Sequence, residues 1–278
     1  MPLRIHFLTA VVAITAACAA VQPLNPGAPR RNQPPYPAVL TEITQRIEAA
    51  RAAWLQIISQ QGVNDKSEVP MQPITSTIRS LPENFTGALY LPKIGVSAQM
   101  NEEETRESLR RFLRDWKTLL GTDPAQLTLI NDTPANDGTR TVVYEQRPFT
   151  YPLRGDYGKV EVRFASDRRI LNVSSTAIPD SVRIQSTLNS VVPQIKAEDV
   201  ASKLVNRTVT YTDSLGPHTF TISSAAPGTV QQLVVYPRLQ ASNADALEFH
   251  LAWEIALTNA PVAKIYLDAL QGEVIGSQ

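Results

Sequence analysis

Apolar side chains recur at every second position over most of the chain after residue 126. The clearest case is the segment 247–258. Its alternating apolar residues are Phe249, Leu251, Trp253, Ile255 and Leu257. A period of two places alternate side chains on opposite faces of a β-strand. The pattern predicts a strand with Trp253 in the core, and with His250 and Glu254 on the opposite face, exposed or directed at a partner.

Residues 101–190 predict one helix followed by four strands. Asn101 and Glu104 have the spacing of a capping box, and an apolar stripe follows them until Gly121. The stripe consists of Leu109, Phe112, Leu113, Trp116, Leu119 and Leu120. Strands are expected at residues 126–130, 139–147, 159–164 and 169–176. A helix packed on a four-stranded antiparallel meander is the simplest assembly of these elements.

Residues 191–278 predict a second unit of the same kind. A short helix is expected at residues 197–205. Strands are expected at residues 218–223, 230–237, 247–258, 262–269 and 273–276. In the last turn, Asp268 is expected to cap the backbone and Gly272 to supply a positive φ. The predicted fold class is α+β, with two small units in series, each a helix packed on an antiparallel sheet.

A helical arm is predicted before the two units, within residues 38–100. Apolar residues at alternating steps of three and four predict a helix over residues 39–61. They are Leu40, Ile43, Ile47, Ala50, Trp54 and Ile57. The polar face carries both signs of charge, which favours packing against the protein, or a coiled arm, over binding to a membrane surface. Prolines interrupt the rest of this segment.

The N-terminal segment has the pattern of an export signal. Residues 1–20 contain Arg4, a short apolar run and small residues around Cys18, and they predict a signal peptide. Two hypotheses remain for Cys18: a lipidated cysteine as in a bacterial lipobox, or part of an ordinary cleavage site. Residues 21–37 carry six prolines and predict an extended linker. Both hypotheses place the protein outside the cytoplasm, secreted or lipid-anchored through Cys18.

The composition argues against several functions. Basic and acidic residues balance at 26 each, so no net charge favours nucleic acid, and membrane contact is expected only through the signal peptide or a lipid anchor. The chain has one cysteine and three histidines, and it lacks the common zinc-hydrolase, phosphate-loop and nucleophile-elbow motifs. We therefore expect no catalytic, cofactor-binding or metal-ligating residues, no cofactor and no enzymatic activity.

Three segments near the end of the chain resemble a known family. They read Leu-Val-Val-Tyr-Pro at residues 233–237, Leu-Ala-Trp-Glu-Ile at residues 251–255, and Tyr-Leu-Asp-Ala-Leu-Gln-Gly-Glu-Val at residues 266–274. In this order they resemble the PepSY-type unit of thermolysin and fungalysin propeptides. The motif residues are Trp253, Glu254, Tyr266, Asp268 and Gly272.

An upstream part of the chain resembles the FTP domain of the same propeptides. The resemblance lies in Val-Tyr-Glu-Gln at residues 143–146, Tyr-Pro-Leu-Arg-Gly at residues 151–155, and the strand that follows. The motif residues are Tyr144, Gln146, Pro152 and Gly155. Leu-Arg replaces the family's Val-Phe before the glycine. All motif residues are expected to serve the structure or an interface.

The resemblance implies an inhibitor or intramolecular chaperone of a secreted zinc metalloprotease. A thermolysin- or fungalysin-like metalloprotease is the implied partner, although no protease domain follows residue 278 in this sequence. Two alternatives stay open: an orphaned propeptide of a truncated precursor, and a cell-surface module that binds or scaffolds another molecule.

Overall fold

The computed structural model describes residues 35–97, 99–223 and 228–278. Five α-helices are found there: α1 (Thr44–Gln60), α2 (Glu102–Asp115), α3 (Lys117–Leu120), α4 (Ser181–Asn189) and α5 (Ala197–Leu204). The first strands are β1 (Ala38–Thr41), β2 (Leu127–Pro134), β3 (Thr139–Gln146), β4 (Lys159–Ala165), β5 (Ile170–Ser175) and β6 (Thr208–Asp213). The others are β7 (Gly216–Thr221), β8 (Thr229–Gln240), β9 (Asn243–Ala256), β10 (Lys264–Asp268) and β11 (Val274–Ser277). Mixed α+β architecture with antiparallel sheets is confirmed.

The first sheet is a four-stranded antiparallel meander in the order β2-β3-β4-β5, as predicted. Helix α2 begins at a complete capping box, in which the Asn101 side chain accepts from the Glu104 N–H and the Glu104 carboxylate accepts from the Asn101 N–H. Gly121 ends the following short helix α3 with φ 74°. All six apolar stripe residues of α2 and α3 are buried. Local signals thus predicted the capped helix and the meander, although the predicted single helix divides into α2 and α3 at Trp116.

Helix α1 contributes to the same core. Its Trp54 side chain is 2% exposed, packs against Phe85 and Trp116, and donates from Nε1 to the Ser67 carbonyl at 3.0 Å. The chain between α1 and α2 also bonds to the outer side of β5, where the Ile170 N–H donates to the Leu89 carbonyl. Helix α1 is therefore packed into the protein.

The second sheet has β9 at its centre. Strand β8 pairs with β9 along one side, and the other side is shared by β1, at residues 246–249, and β10, at residues 252–256. Strand β11 pairs with β10, and β6 and β7 form a separate hairpin. Helix α4 lies near β1 and β9, and α5 lies near β8.

The structure corrects the start of the first helix. The helix was expected from residue 39, but residues 38–41 form a strand, and Leu40 is buried opposite Leu247. Ile43, expected on the buried stripe, is 45% exposed. The conformation of residues 38–41 is determined by pairing with a strand more than 200 residues away. The spacing of apolar residues along the chain does not reveal such a distant partner. Strand β6 and helix α4 were also missed.

Within the described residues, no helix is both long enough and apolar enough to cross a membrane. The predicted signal peptide, with Cys18, lies outside the described residues, as does most of the predicted proline-rich linker.

Candidate functional site

Strand β9 carries buried polar residues on one of its faces. Glu248, His250 and Glu254 are 8%, 1% and 2% exposed. The prediction that His250 and Glu254 lie on an exposed face was wrong. Both faces of the strand are covered, because Tyr36 and Arg154, from distant parts of the chain, pack over the polar side chains.

Asp268 is the centre of the first polar cluster. Its Oδ1 accepts from the backbone N–H groups of Leu270 and Gln271 at 2.7 and 2.8 Å, which confirms the predicted turn cap. Its Oδ2 accepts from the Tyr36 hydroxyl at 2.8 Å and lies 2.6 Å from His250 Nδ1. The carboxylate is 0% exposed. The Asp268 side chain lies at the gap between β1 and β10, where residues 250 and 251 of β9 have no strand partner on that side of the sheet.

His250 lies between two carboxylates. Its Nε2 is 3.2 Å from Glu248 Oε2, which also accepts from Arg238. Carboxylates only accept, so the ring satisfies both contacts when each nitrogen carries a proton. Burial raises the pKa of Tyr36, and the Asp268 carboxylate adds to this effect, so the phenol stays a donor. The cluster is thus a closed hydrogen-bond network.

Glu254 is the centre of a second cluster on the same face. One oxygen accepts from Arg154 Nε at 2.9 Å and from Gln232 Nε2 at 3.2 Å, and the other accepts from Lys264. Arg154 comes from the segment before β4, whose Leu153 forms a parallel bridge with Val235 of β8. The cluster therefore attaches this segment to the second sheet.

The pKa values of the three buried carboxyls are lowered overall. Burial raises the pKa of Glu248, Glu254 and Asp268, but the hydrogen bonds from their cationic and neutral donors outweigh it. Each group is therefore ionised in the folded protein at neutral pH.

Acidification is expected to destabilise the protein through these three groups. Because their folded-state pKa values lie below the ordinary ones, their contribution to stability is complete above about pH 4.5 and is lost as the pH falls through the folded-state values. Urea unfolding at a series of pH values should show this fall. Glu254→Gln should make it shallower, whereas the exposed Glu83→Gln should not. Identical profiles for the wild type and Glu254→Gln would contradict the assignment.

Gln146 and Tyr144 lie in the first unit, at the end of β3. Gln146 is fully buried and pairs with backbone, since its Oε1 accepts from the Ile178 N–H at 2.8 Å and its Nε2 lies 3.1 Å from the Ile178 carbonyl. Its Nε2 also approaches Thr122 and Gln126. Tyr144 packs against the core, and burial raises its pKa to about 12, with a smaller effect from the Asp132 charge.

The remaining predicted site residues lie apart from one another, and their contacts stabilise the fold. Pro152 accepts from the Val235 N–H through its carbonyl, and Gly155 is exposed with φ 82°. Tyr266 is buried, stacks on Tyr236 with ring centroids 4.3 Å apart, and donates to Gln278. The last two are the half-buried Trp253, which donates to the Ile195 carbonyl, and Gly272, with φ 73° in the final turn.

This chemistry is that of a structural network. The His250–Asp268 pair resembles a base and its orienting carboxylate, but Glu248 occupies the second ring nitrogen and the ring is 1% exposed. A general base must reach its substrate. No group of three or more metal-ligating side chains occurs among the described residues.

A surface groove was missed by the sequence analysis. It lies between α2 and the edge strand β2, and its volume is about 240 Å³. Its apolar lining is Leu109, Leu113, Pro124, Leu127, Leu129 and Tyr144, and its charged lining is Arg106, Arg110, Asp132 and Arg140. We call it the α2–β2 groove. The signal available in the sequence was the pair of apolar residues Leu129 and Ile130 in the middle of a largely polar and exposed strand.

Among the predicted residues, the structure brings together Glu254 with Tyr266 and Asp268 on neighbouring strands of the second sheet, while Gln146 lies in the first sheet. Only Tyr144 lines the α2–β2 groove. No protein-family model matches the chain, and no curated protein matches it significantly.

Proposed function

We propose that this protein is an exported inhibitor and folding chaperone of a secreted zinc metalloprotease, which it binds noncovalently. One observation supports the proposal. The three segments that resemble the PepSY-type unit lie on β8, on β9 and on the β10–β11 hairpin, which are consecutive neighbours in one antiparallel sheet. Segments separated in sequence thus form a continuous structural unit, as a shared fold would require.

The proposal includes the organisation expected from the sequence. A signal peptide at residues 1–20 exports the protein, with Cys18 either discarded or lipidated. The α+β units predicted at residues 101–190 and 191–278 form the binding scaffold together with α1 and β1, which pack into them. The protein has no catalytic role in this proposal. It acts by complementary contact with the protease, so its effect depends on its folded state.

An inhibition assay tests the proposal. The purified chain without residues 1–20 is titrated into a thermolysin-like metalloprotease with a fluorogenic peptide substrate. We expect inhibition with a Kd below about 10 µM, the weak end of specific binding. A subtilisin-like serine protease is the control and should stay active. Absence of inhibition at this concentration would contradict the proposal.

A refolding assay tests the chaperone component separately. The denatured metalloprotease is diluted into buffer with and without the chain, and the recovered activity is measured after the chain has been removed. We expect a higher yield with the chain present. Mass spectrometry of the chain during inhibition distinguishes an inhibitor, which stays intact, from a substrate that merely competes. Rapid cleavage of the chain would contradict its role as an inhibitor, and an unchanged refolding yield would contradict its role as a chaperone.

A further inference from the structure

The backbone of β2 is open on the side that borders the α2–β2 groove. Strand order places β2 at the end of the first sheet. The Gln146 N–H donates to the Gly158 carbonyl, away from β2, and Gln146 lies opposite Leu127. In an antiparallel pair, bonded and non-bonded positions alternate. The C=O of Leu127 and the N–H and C=O of Leu129 therefore point away from β3, toward the free edge, whereas the Leu127 N–H already donates to the Pro124 carbonyl.

The side chains along this edge are suited to an added strand. Leu127 and Leu129 lie on the same face as Tyr144, the face that α2 covers. Leu129 and Ile130 are 41% and 45% exposed. A strand added beside β2 would place every second side chain into the α2–β2 groove. A volume of about 240 Å³ is below the usual range for whole small-molecule ligands and suits one or two side chains.

A register shift limits the usable length of the edge. The shift lies between Leu129 and Asn131, and Pro134, at the end of β2, has no N–H to donate. Such features restrict edge pairing to a short stretch. The open edge therefore suits a few residues of extended chain and does not favour indefinite strand addition.

The charges beside the groove favour an acidic occupant. Arg106 and Arg110 project from α2 into its lining, while Glu107 binds both Arg110 and Arg111. Arg140 is held by Asp132 and Glu102. Arg106 is exposed and belongs to none of the ion pairs among the described residues, although its charge contributes to the lowered pKa of Glu102. One guanidinium at the rim is thus available for a carboxylate.

A second copy of the chain fits this edge less well. Pairing of two β2 strands about a two-fold axis would use the same surface on both copies. It would bring the groove rims of both copies, each carrying Arg106 and Arg110, to one interface. Repulsion between like charges disfavours this arrangement.

We propose that the α2–β2 groove binds a short extended segment of another polypeptide, which adds as a strand to β2. The segment places an apolar side chain in the groove and, on the same face of the added strand, a carboxylate beside Arg106. This site is independent of the protease inhibition proposed above, because its occupant is recognised by backbone pairing and charge, and the test below contains no protease.

Three pools of labelled hexapeptides test the proposal. Positions 1, 3 and 5 share the face of the added strand that meets the groove, so position 3 mixes Val, Ile, Leu and Phe, positions 1 and 5 are all Glu, all Ser or all Lys, and the even positions are Ser. Binding to the purified chain without residues 1–20 is followed by fluorescence anisotropy. We expect the Glu pool to bind best and the Lys pool to bind at least about tenfold more weakly, equivalent to about 1.4 kcal/mol. No binding of the Glu pool below about 1 mM, or equal affinity for the Glu and Lys pools, would overturn the proposal.

Surface variants locate the binding. Arg106→Glu should weaken the Glu pool about tenfold and remove the preference over the Lys pool, and Leu129→Lys should abolish binding. Leu215→Lys is the matched control, since Leu215 is 87% exposed in the β6–β7 turn, and it should bind like the wild type. Circular dichroism checks that each variant is folded. Wild-type binding by folded Arg106→Glu and Leu129→Lys would overturn the proposal, as would a dimer that Leu129→Lys abolishes.

Discussion

Asp268→Ala is expected to lower the free energy of unfolding by about 3–5 kcal/mol, the cost of removing one partner from a buried charged network. The substitution takes the acceptor from four donors at once: the Tyr36 hydroxyl, the His250 ring and two backbone N–H groups. It also opens the seam where β1 and β10 meet beside β9. Since natural domains have about 5–15 kcal/mol of total stability, the variant should be close to unfolding at moderate temperature.

Urea unfolding with linear extrapolation measures this loss. Asp245→Ala is the control, because Asp245 is exposed on the same strand β9 and should change stability by less than about 0.5 kcal/mol. A double-mutant cycle with Tyr36→Phe adds a sharper readout. The two changes should be non-additive by at least about 0.5 kcal/mol, because they remove the same hydrogen bond. Additive effects, or a loss below about 1 kcal/mol for Asp268→Ala, would show that the network contributes little.

Trp54→Ala is expected to cost about 3–5 kcal/mol, as for other large aromatic side chains removed from a core. Trp54 is buried between Phe85 and Trp116, so the truncation leaves a cavity between α1 and the first sheet's core. It also leaves the Ser67 carbonyl without its indole donor.

The neighbouring residue provides a matched control for this prediction. Leu55 is the next residue of α1 after Trp54, but its side chain is 54% exposed. Leu55→Ala should therefore change the free energy of unfolding by less than about 0.5 kcal/mol. Thermal and urea unfolding of both variants should give one cooperative transition. A similar small effect for both would mean that α1 behaves as an arm with little coupling to the core.

Local signals account for what the sequence predicted well. Helix α2 was predicted with its cap because Asn101, Glu104 and the apolar stripe all lie within a few turns of one another. The meander of β2 to β5 followed from alternation and turn residues in consecutive segments. The Asp268 turn cap was likewise predictable, since its acceptors and donors are three residues apart or fewer.

The features that the sequence predicted badly depend on partners that are distant along the chain. Alternation along β9 showed that one face is apolar, but the state of the other face depends on Tyr36 and Arg154, which are far away in sequence. The assignment of residues 39–41 to a helix failed for the same reason, because the partner of Leu40 is Leu247. The α2–β2 groove required knowing that β2 is an edge strand, which is a property of sheet order.

Strand β1 also determines when folding can finish. A chain synthesised or exported from its N-terminus presents residues 38–41 early, but their partners in β9 appear only after roughly 200 further residues. Until then the apolar side chains of Ala38 and Leu40 have no sheet to join, and closing so long a loop is slow. The insertion of β1 beside β9 is therefore a late event, and any binding surface that depends on the completed second sheet becomes available only once nearly the whole chain has emerged.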